Sequence, residues 1–416
     1  MMAHFIVELL HQLVNHCISL SIKRVQIMQR VASVDVYRGF VMLLMMAEVL
    51  NLSAVSAALP HSGFWQVLAF NQSHVEWQWL SLHDMIQPSF TFLVGVVLPY
   101  SIASRKSRGA TFASLLKHTI KRSLILIFLG IFLRSIYADQ TNFTFEDTLT
   151  QIGLGYTFLV LLAFCSARTQ LIALGGILAG YWLLFAIYPL PGSDFNYPAV
   201  GVPEDWPHLM DGFAAHWNKN SSAAWAFDTW FLNLFPRESA FLYNEGGYST
   251  LSFIPTLGTM ILGLVAGNIM RADFEHSTRL RVFLQWGAGL LFAALLLHFT
   301  GINPIVKRIW TPAWTLFSGG LCFLFLTMFY WVIDVAKKDR WSFFLTVIGT
   351  NSIAAYVIAD GGIKVFFQKS LYIHLGSGFD QLFGPAYATL VSGSVVLLLE
   401  WWVLYWMYKR KIFIKI

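Results

Sequence analysis

Charge is what this sequence has least of. Asp, Glu, Lys and Arg together make up 12% of its 416 residues, about half the share usual in a soluble domain. That scarcity excludes an ordinary soluble globular chain. Cysteine is also scarce: Cys17, Cys165 and Cys322 are the three present, each in an apolar stretch. A disulfide framework and a thiolate metal site are therefore not expected. The N-terminal apolar run has no small-residue cleavage signature of a secretory signal. The net charge of +6 gives no reason to expect a nucleic-acid partner, because the charges fall in short clusters between apolar runs. What the chain does have is apolar and aromatic side chains, 56% and 16% respectively. Such a balance belongs to a polytopic all-α membrane protein, its aromatic residues suited to the two lipid–water boundaries.

Apolar runs of the length a bilayer requires, roughly 20 residues, fall near 39–58, 84–103, 122–138, 151–167, 170–189, 250–270, 282–300, 314–334, 343–367 and 384–407. They predict about ten transmembrane helices in one domain over 31–416. Residues 1–30 carry Glu8, His11, Gln12, Asn15 and His16 within their apolar part, and such groups are costly in hydrocarbon. That segment is expected to be an interfacial or disordered leader. With both termini cytoplasmic, 21 of the 28 Lys and Arg residues fall on the cytoplasmic side, as the positive-inside rule expects. The arrangement places residues 59–83 and the long 190–249 connection on the outer face. Connections of that length are often binding loops.

The stretch from His74 to Gly95 concentrates the chemistry. His74 lies just outside an apolar run, Trp77 and Trp79 lie beside it, and Asp84 and Pro88 stand at the mouth of the run. An imidazole in an outer loop is either plain surface or a proton acceptor for a nucleophile. Asp84 either caps the helix it opens or orients the imidazole. His83 and His61 are rival bases. Glu48 and Asn51 are polar groups in the outer half of the first span, where such groups are functional candidates. On the cytoplasmic side, Asp35 and Arg38 share a helix face. They form either an anchor or, through Arg38, part of a phosphate site completed by Arg105, Lys106, Arg108, Lys121 and Arg122. In the long connection Asp228, Asn244 and Glu245 are candidates to bind a polar substrate. The sequence from Asn244 to Leu251 reads equally as a capped turn.

Five ordered segments carry a resemblance to a known family. They are Ser33, Asp35, Arg38 and Gly39; then His74, Trp77, Leu80, Ser81, Asp84, Pro88 and Phe90 without a gap; then Glu245, Gly246, Ser249, Thr250 and Leu251. The last two are Lys307, Trp310, Thr311, Pro312, Leu316, Phe317 and Gly320, and Gly349, Thr350, Asn351, Ile353 and Tyr356. In these the chain resembles the transmembrane acyltransferases typified by heparan-alpha-glucosaminide N-acetyltransferase, in particular bacterial relatives. There are departures. The family's asparagine near the outer end of the first span meets Val49 here, with Glu48 and Asn51 as neighbours, and an arginine of the fourth span is lost within Leu149–Leu154.

The resemblance implies an acetyltransferase in a bacterial inner membrane. Acetyl-CoA would be the cytosolic donor, held by Arg38, Arg105, Lys106 and Arg122, and no metal is expected. His74 would be the catalytic base or acetyl carrier, aided by Asp84 and Asn51. An amino sugar or other glycan on the outer face would accept the acetyl group, near Trp77, Asp228, Asn244 and Glu245. A homodimer is an allowed assembly. The rival reading is a multi-span transporter or binding protein for a sugar-like solute, to which mid-span polar groups and an aromatic outer loop are equally suited.

Overall fold

A computed structural model describes residues 31–376 and 378–414. The leader expected over 1–30, and Cys17 with it, lies outside the described residues. The described residues form helices joined by loops. The apolar runs make α1 (Ala32–Met46), α2 (Leu52–Ala58), α3 (Gly63–Asn71), α4 (Ile86–Ser107), α5 (Phe112–Ser135), α6 (Thr148–Ala163) and α7 (Ala167–Ala186). After the short α8 (Ala223–Phe231) come α9 (Phe253–Arg271), α10 (His276–Phe299), α11 (Pro312–Phe329), α12 (Phe343–Gly349), α13 (Ser352–Asp360), α14 (Ile363–Leu375) and α15 (Ala388–Lys409). Hydrocarbon leaves the backbone no partner but itself, so each apolar stretch becomes helical. Polar side chains then supply the caps. Thr111 accepts from Ser114 N, Asp147 from Leu149 N and Thr150 N, Ser166 from Thr169 N, and Thr311 from Trp314 N with Pro312 opening the helix.

Six helical segments are long and apolar enough to cross a membrane: His83–Ser107, Ala167–Ala186, Thr250–Arg271, His276–Phe299, Pro312–Val335 and Pro385–Lys409. Two bent pairs raise the number to eight. The chain is therefore a polytopic helical membrane protein. Helices also occupy the remaining predicted positions, but α5 carries Lys117, Lys121, Arg122 and Arg134, and α6 has only 16 residues. Ten spans and the sides of the termini stand as expectations from the sequence.

The bends shape the site. The first pair turns by 45° at Asn51, whose φ of 47° is left-handed, a conformation Asn tolerates better than most residues. Gln72 clamps this break, accepting from Leu52 N at 2.7 Å and donating to the Ala47 carbonyl at 2.6 Å. The second pair turns by 70° between α12 and α13. There Asn351 donates to the Ile412 carbonyl and accepts from Ile414 N, both at 3.0 Å.

At the centre, α4 and α9 pack backbone to backbone. A Cβ on Gly263 would fall on the Phe92 carbonyl, and one on Gly95 on the Met260 carbonyl. The contact fixes α4, and with it Asp84 at its mouth. The 190–249 connection packs onto the same end of the bundle. There Trp77, Trp217, Phe185, Tyr181, Val306 and Ile309 form a separate apolar cluster.

Candidate functional site

His74, Asp84 and Lys307 meet at the mouth of α4. Asp84 Oδ1 lies 2.7 Å from His74 Nδ1 and 3.0 Å from Lys307 Nζ. Its Oδ2 accepts from Ser81 N at 2.9 Å, Ser81 Oγ at 3.1 Å and Val75 N at 3.2 Å. One carboxylate thus holds the imidazole, the ammonium and the loop that carries the imidazole.

Lys307 arrives from a distant loop because residues 75–79 run beside 305–308. Trp79 N donates to the Ile305 carbonyl, Gln78 and Val306 form an antiparallel bridge, and Arg308 donates to the Val75 carbonyl at 3.0 Å and the Gly246 carbonyl at 2.7 Å. Arg308 therefore ties the histidine loop to the Asn244–Gly247 turn. The two positive φ angles in this seam, 73° at Trp79 and 47° at Trp310, are tolerated where so many neighbours fix the backbone.

Two partners face Nδ1: the Asp84 carboxylate, which only accepts, and the Lys307 ammonium, which only donates. In the tautomer whose Nδ1–H donates to Asp84, Nε2 keeps its lone pair. The side chain of His74 is 39% exposed, against 1% for Asp84 and 5% for Lys307. Lys307 Nζ is also 3.0 Å from His74 Nδ1. Two donors share one acceptor oxygen there, so a second proton on the ring is disfavoured. Burial lowers the His74 pKa, the Asp84 hydrogen bond raises it and the Lys307 charge lowers it, with the net effect downward from 6.5. A neutral imidazole oriented by a carboxylate, with its free nitrogen towards an open face, can act as a general base.

A second imidazole stands beside the first. The His83 ring is 4.6 Å from that of His74. His83 Nε2 contacts Glu48 Oε1 at 3.0 Å, and Glu48 Oε2 lies 3.9 Å from Lys364 Nζ. The Tyr248 ring closes the other side, 6.5 Å from His74, with Lys307 and Arg308 over its face.

The other candidates are placed as follows. Asn51 sits exposed at the helix break, and the hydrogen bonds and ring contacts of His74 among the described residues go to Asp84, Lys307, His83 and Tyr248. Trp77 is fully buried, donating to the Trp217 carbonyl at 3.1 Å and packed on Trp206, so it anchors the loop and offers no ring face to a ligand. Asp228 is buried, its Oδ2 accepting from Thr250 N at 2.9 Å at the head of the α9 span, while Oδ1 has no hydrogen-bond partner. Burial pushes its carboxyl up to about 7. Asn244 Oδ1 accepts from Gly246 N and Tyr248 N, which makes the capped turn. Glu245 lines a cleft of about 410 Å³ with Asn142, Arg237 and Glu238.

Of the basic candidates, Arg105, Lys121 and Arg122 share His118 as a neighbour, while Arg38 is engaged elsewhere. Arg105 contacts His118, Lys106 lies over the Phe164 ring at 4.7 Å, and both are about 30 Å along α4 from Asp84. Arg122 is about 15 Å inside α5, donating to the Tyr156 hydroxyl at 3.0 Å with its Nε unpartnered. Arg38 pairs with Asp35 and donates to the Gly349 carbonyl at 2.7 Å, capping the C-terminus of α12. No group of His, Cys, Asp and Glu among the described residues has the arrangement of a metal site.

In the sequence Lys307 stands out as the first residue of the fourth shared segment, with no chemical role attached to it. The available signal was two adjacent cations, Lys307 and Arg308, in the connection that precedes Pro312.

No protein-family profile matches the chain. Human heparan-alpha-glucosaminide N-acetyltransferase is 25% identical, the match covering 79% of this chain and 52% of that protein. The mouse protein of the same name is 24% identical with similar coverage, 79% and 53%. The chain therefore spans about half the length of these curated relatives. The His74–Asp84 segment and the four other motifs carry a resemblance to the same kind of protein, and over most of its length the chain is similar to these heparan-alpha-glucosaminide N-acetyltransferases.

Proposed function

We propose that the chain is a transmembrane acetyltransferase that carries an acetyl group from cytosolic acetyl-CoA to an amino sugar or other glycan acceptor on the opposite face. The observation that carries this reading is the His74–Asp84–Lys307 constellation at the mouth of a span, with Nε2 free on a half-open ring. In the reaction the acceptor nucleophile attacks the thioester carbonyl. His74 Nε2 takes the nucleophile's proton, the C–S bond breaks and the same proton passes to the thiolate. Asp84 stabilises the imidazolium formed on the way, as in other carboxylate-oriented histidine bases. The free nitrogen is also the atom that an acetyl-histidine route would acylate.

Arg105 and Lys106 sit at the donor end of α4, and Arg122, with an unpartnered buried Nε, stands deeper along the path. Their task is to hold phosphates. Acceptors approach past Tyr248, Asn244 and Glu245. In this topology ten helices cross the membrane and both termini are cytoplasmic.

The test is thiol release from acetyl-CoA by purified protein in detergent, with and without a panel of amino sugars, for the wild type and His74→Ala. Acceptor-stimulated release that vanishes in the variant is expected. Full transfer by a folded His74→Ala protein would falsify the mechanism. A transporter would instead move labelled solute without consuming acetyl-CoA.

A further inference from the structure

Two imidazoles stand side by side at this site, and each has its own carboxylate and its own lysine. His74 has Asp84 and Lys307, at 2.7 and 3.0 Å. His83 has Glu48 at 3.0 Å, with Lys364 behind it at 3.9 Å. Two carboxylates and two ammoniums thus stand beside the rings, with the Arg308 guanidinium next to them over Tyr248. Imidazole is the side chain that exchanges protons near neutral pH, and a single base already suffices to orient and deprotonate one hydroxyl.

We propose that His83 and Glu48 form a second proton-accepting pair, which removes the first proton from an ammonium acceptor before His74 removes the second. The inference rests on the acetyltransferase reading and applies where the acceptor is a primary amine.

The proton balance is the reason. At neutral pH an aliphatic amine is R–NH3+, which has no lone pair for attack. Forming the N–C bond and breaking the C–S bond leaves R–NH–acetyl, so nitrogen gives up two protons. One goes through His74 Nε2 to the departing thiolate and appears as the CoA thiol. The other has no place in the products and must leave to water. His83 is buried and its ring is 4.6 Å from that of His74, close enough to share one acceptor nitrogen. Glu48, hydrogen-bonded to it, is 41% exposed and hands that proton to solvent. A hydroxyl acceptor loses a single proton, which the thiolate consumes, and needs no second pair. The contact between Glu48 and His83 also joins the bent end of the first span to the mouth of α4, which would be its whole purpose if it were structural.

The experiment is the pH dependence of kcat/KM from pH 5.5 to 9, with glucosamine as acceptor, for wild type, His83→Gln and Glu48→Gln. Glutamine keeps a donor towards Glu48 and about the size of the ring, but it cannot carry a proton. The expected result is a loss on the order of tenfold or more at pH 6, shrinking as the pH rises and the amine becomes neutral unaided. Glu48→Gln should show the same pH-dependent loss to a smaller degree. A His83→Gln profile parallel to wild type, or lowered equally at every pH, overturns the proposal and leaves His83 structural. If wild type shows no acceptor-stimulated CoA release, the acetyltransferase reading itself fails and this inference falls with it. The two failures are therefore separately visible.

Discussion

Lys307 Nζ and Asp84 Oδ1 lie 3.0 Å apart although 223 positions separate them in the chain, and their side chains are 5% and 1% exposed. A buried ion pair is a poor source of net stability, since desolvation offsets most of the attraction. Its value here is positional. The carboxylate that orients His74 is itself held in place by a cation from another part of the chain.

Removing Lys307 leaves the Asp84 carboxylate charged and buried, with hydrogen-bond donors but no partner cation. Lys307→Met should therefore cost about 3–5 kcal/mol, read as a lower thermal midpoint in detergent. The double variant Lys307→Met/Asp84→Asn should recover part of that loss, because no charge is then stranded. A Lys307→Met protein as stable as wild type would show that Asp84 does not depend on this partner.

The same cation sets a pH dependence. His74 acts as a base only when neutral, and burial together with Lys307 lowers its pKa from 6.5 despite the opposing Asp84 hydrogen bond. As pH falls, activity should persist below 6.5 and decline only as the pH passes through the lowered value. Lys307→Gln removes one of the lowering influences, so the acid limb of kcat/KM should move upward. An acid limb in the wild type at or above 6.5 would contradict this account.

What could be read from the sequence depended on distance along the chain. His74 and Asp84 are ten residues apart in one ungapped segment, so their pairing was open to inspection, with capping and orientation left as rivals. Apolar runs locate the helices because hydrocarbon enforces backbone self-pairing. The breaks at Asn51 and between α12 and α13 were not legible, since hydropathy does not encode a left-handed residue. Nor were Lys307 on Asp84 or His83 on Glu48, contacts made by loop pairing and by a helix bend. Trp77 shows the opposite difficulty. An aromatic residue beside a histidine suggests a stacking platform, yet the fold spends the ring on anchoring the 190–249 connection.

Asp228 provides a stability test away from the histidines. Its folded-state carboxyl is pushed up to about 7 by burial, above the ordinary value of 3.8. A group raised in this way contributes stability that is fully present below the unfolded pKa and lost as pH rises through the folded one. Thermal midpoints should therefore fall between about pH 4 and 7. Asp228→Asn retains an oxygen for Thr250 N and cannot ionise, so its midpoints should be flatter over that window and higher at pH 8. An unchanged slope in the variant would assign the pH dependence to other groups, such as Glu146 and Asp147, which burial also raises.

The contact between α4 and α9 links packing to chemistry. A methyl on Gly263 meets the carbonyl oxygen of Phe92, and a backbone atom cannot rotate aside as a side chain does. Overpacking of this kind costs about 1–3 kcal/mol, and the strain falls on the helix that carries Asp84. Gly263→Ala should therefore lower both the thermal midpoint and kcat, because displacing α4 moves the carboxylate relative to His74 and Lys307. Gly175 on α7 is the matched control, since nothing lies within 4 Å of its added Cβ. Gly175→Ala should leave kcat unchanged and stability equal or higher, alanine being the better helix former. Equal effects at the two positions would mean that the close approach of α4 and α9 does not position the site.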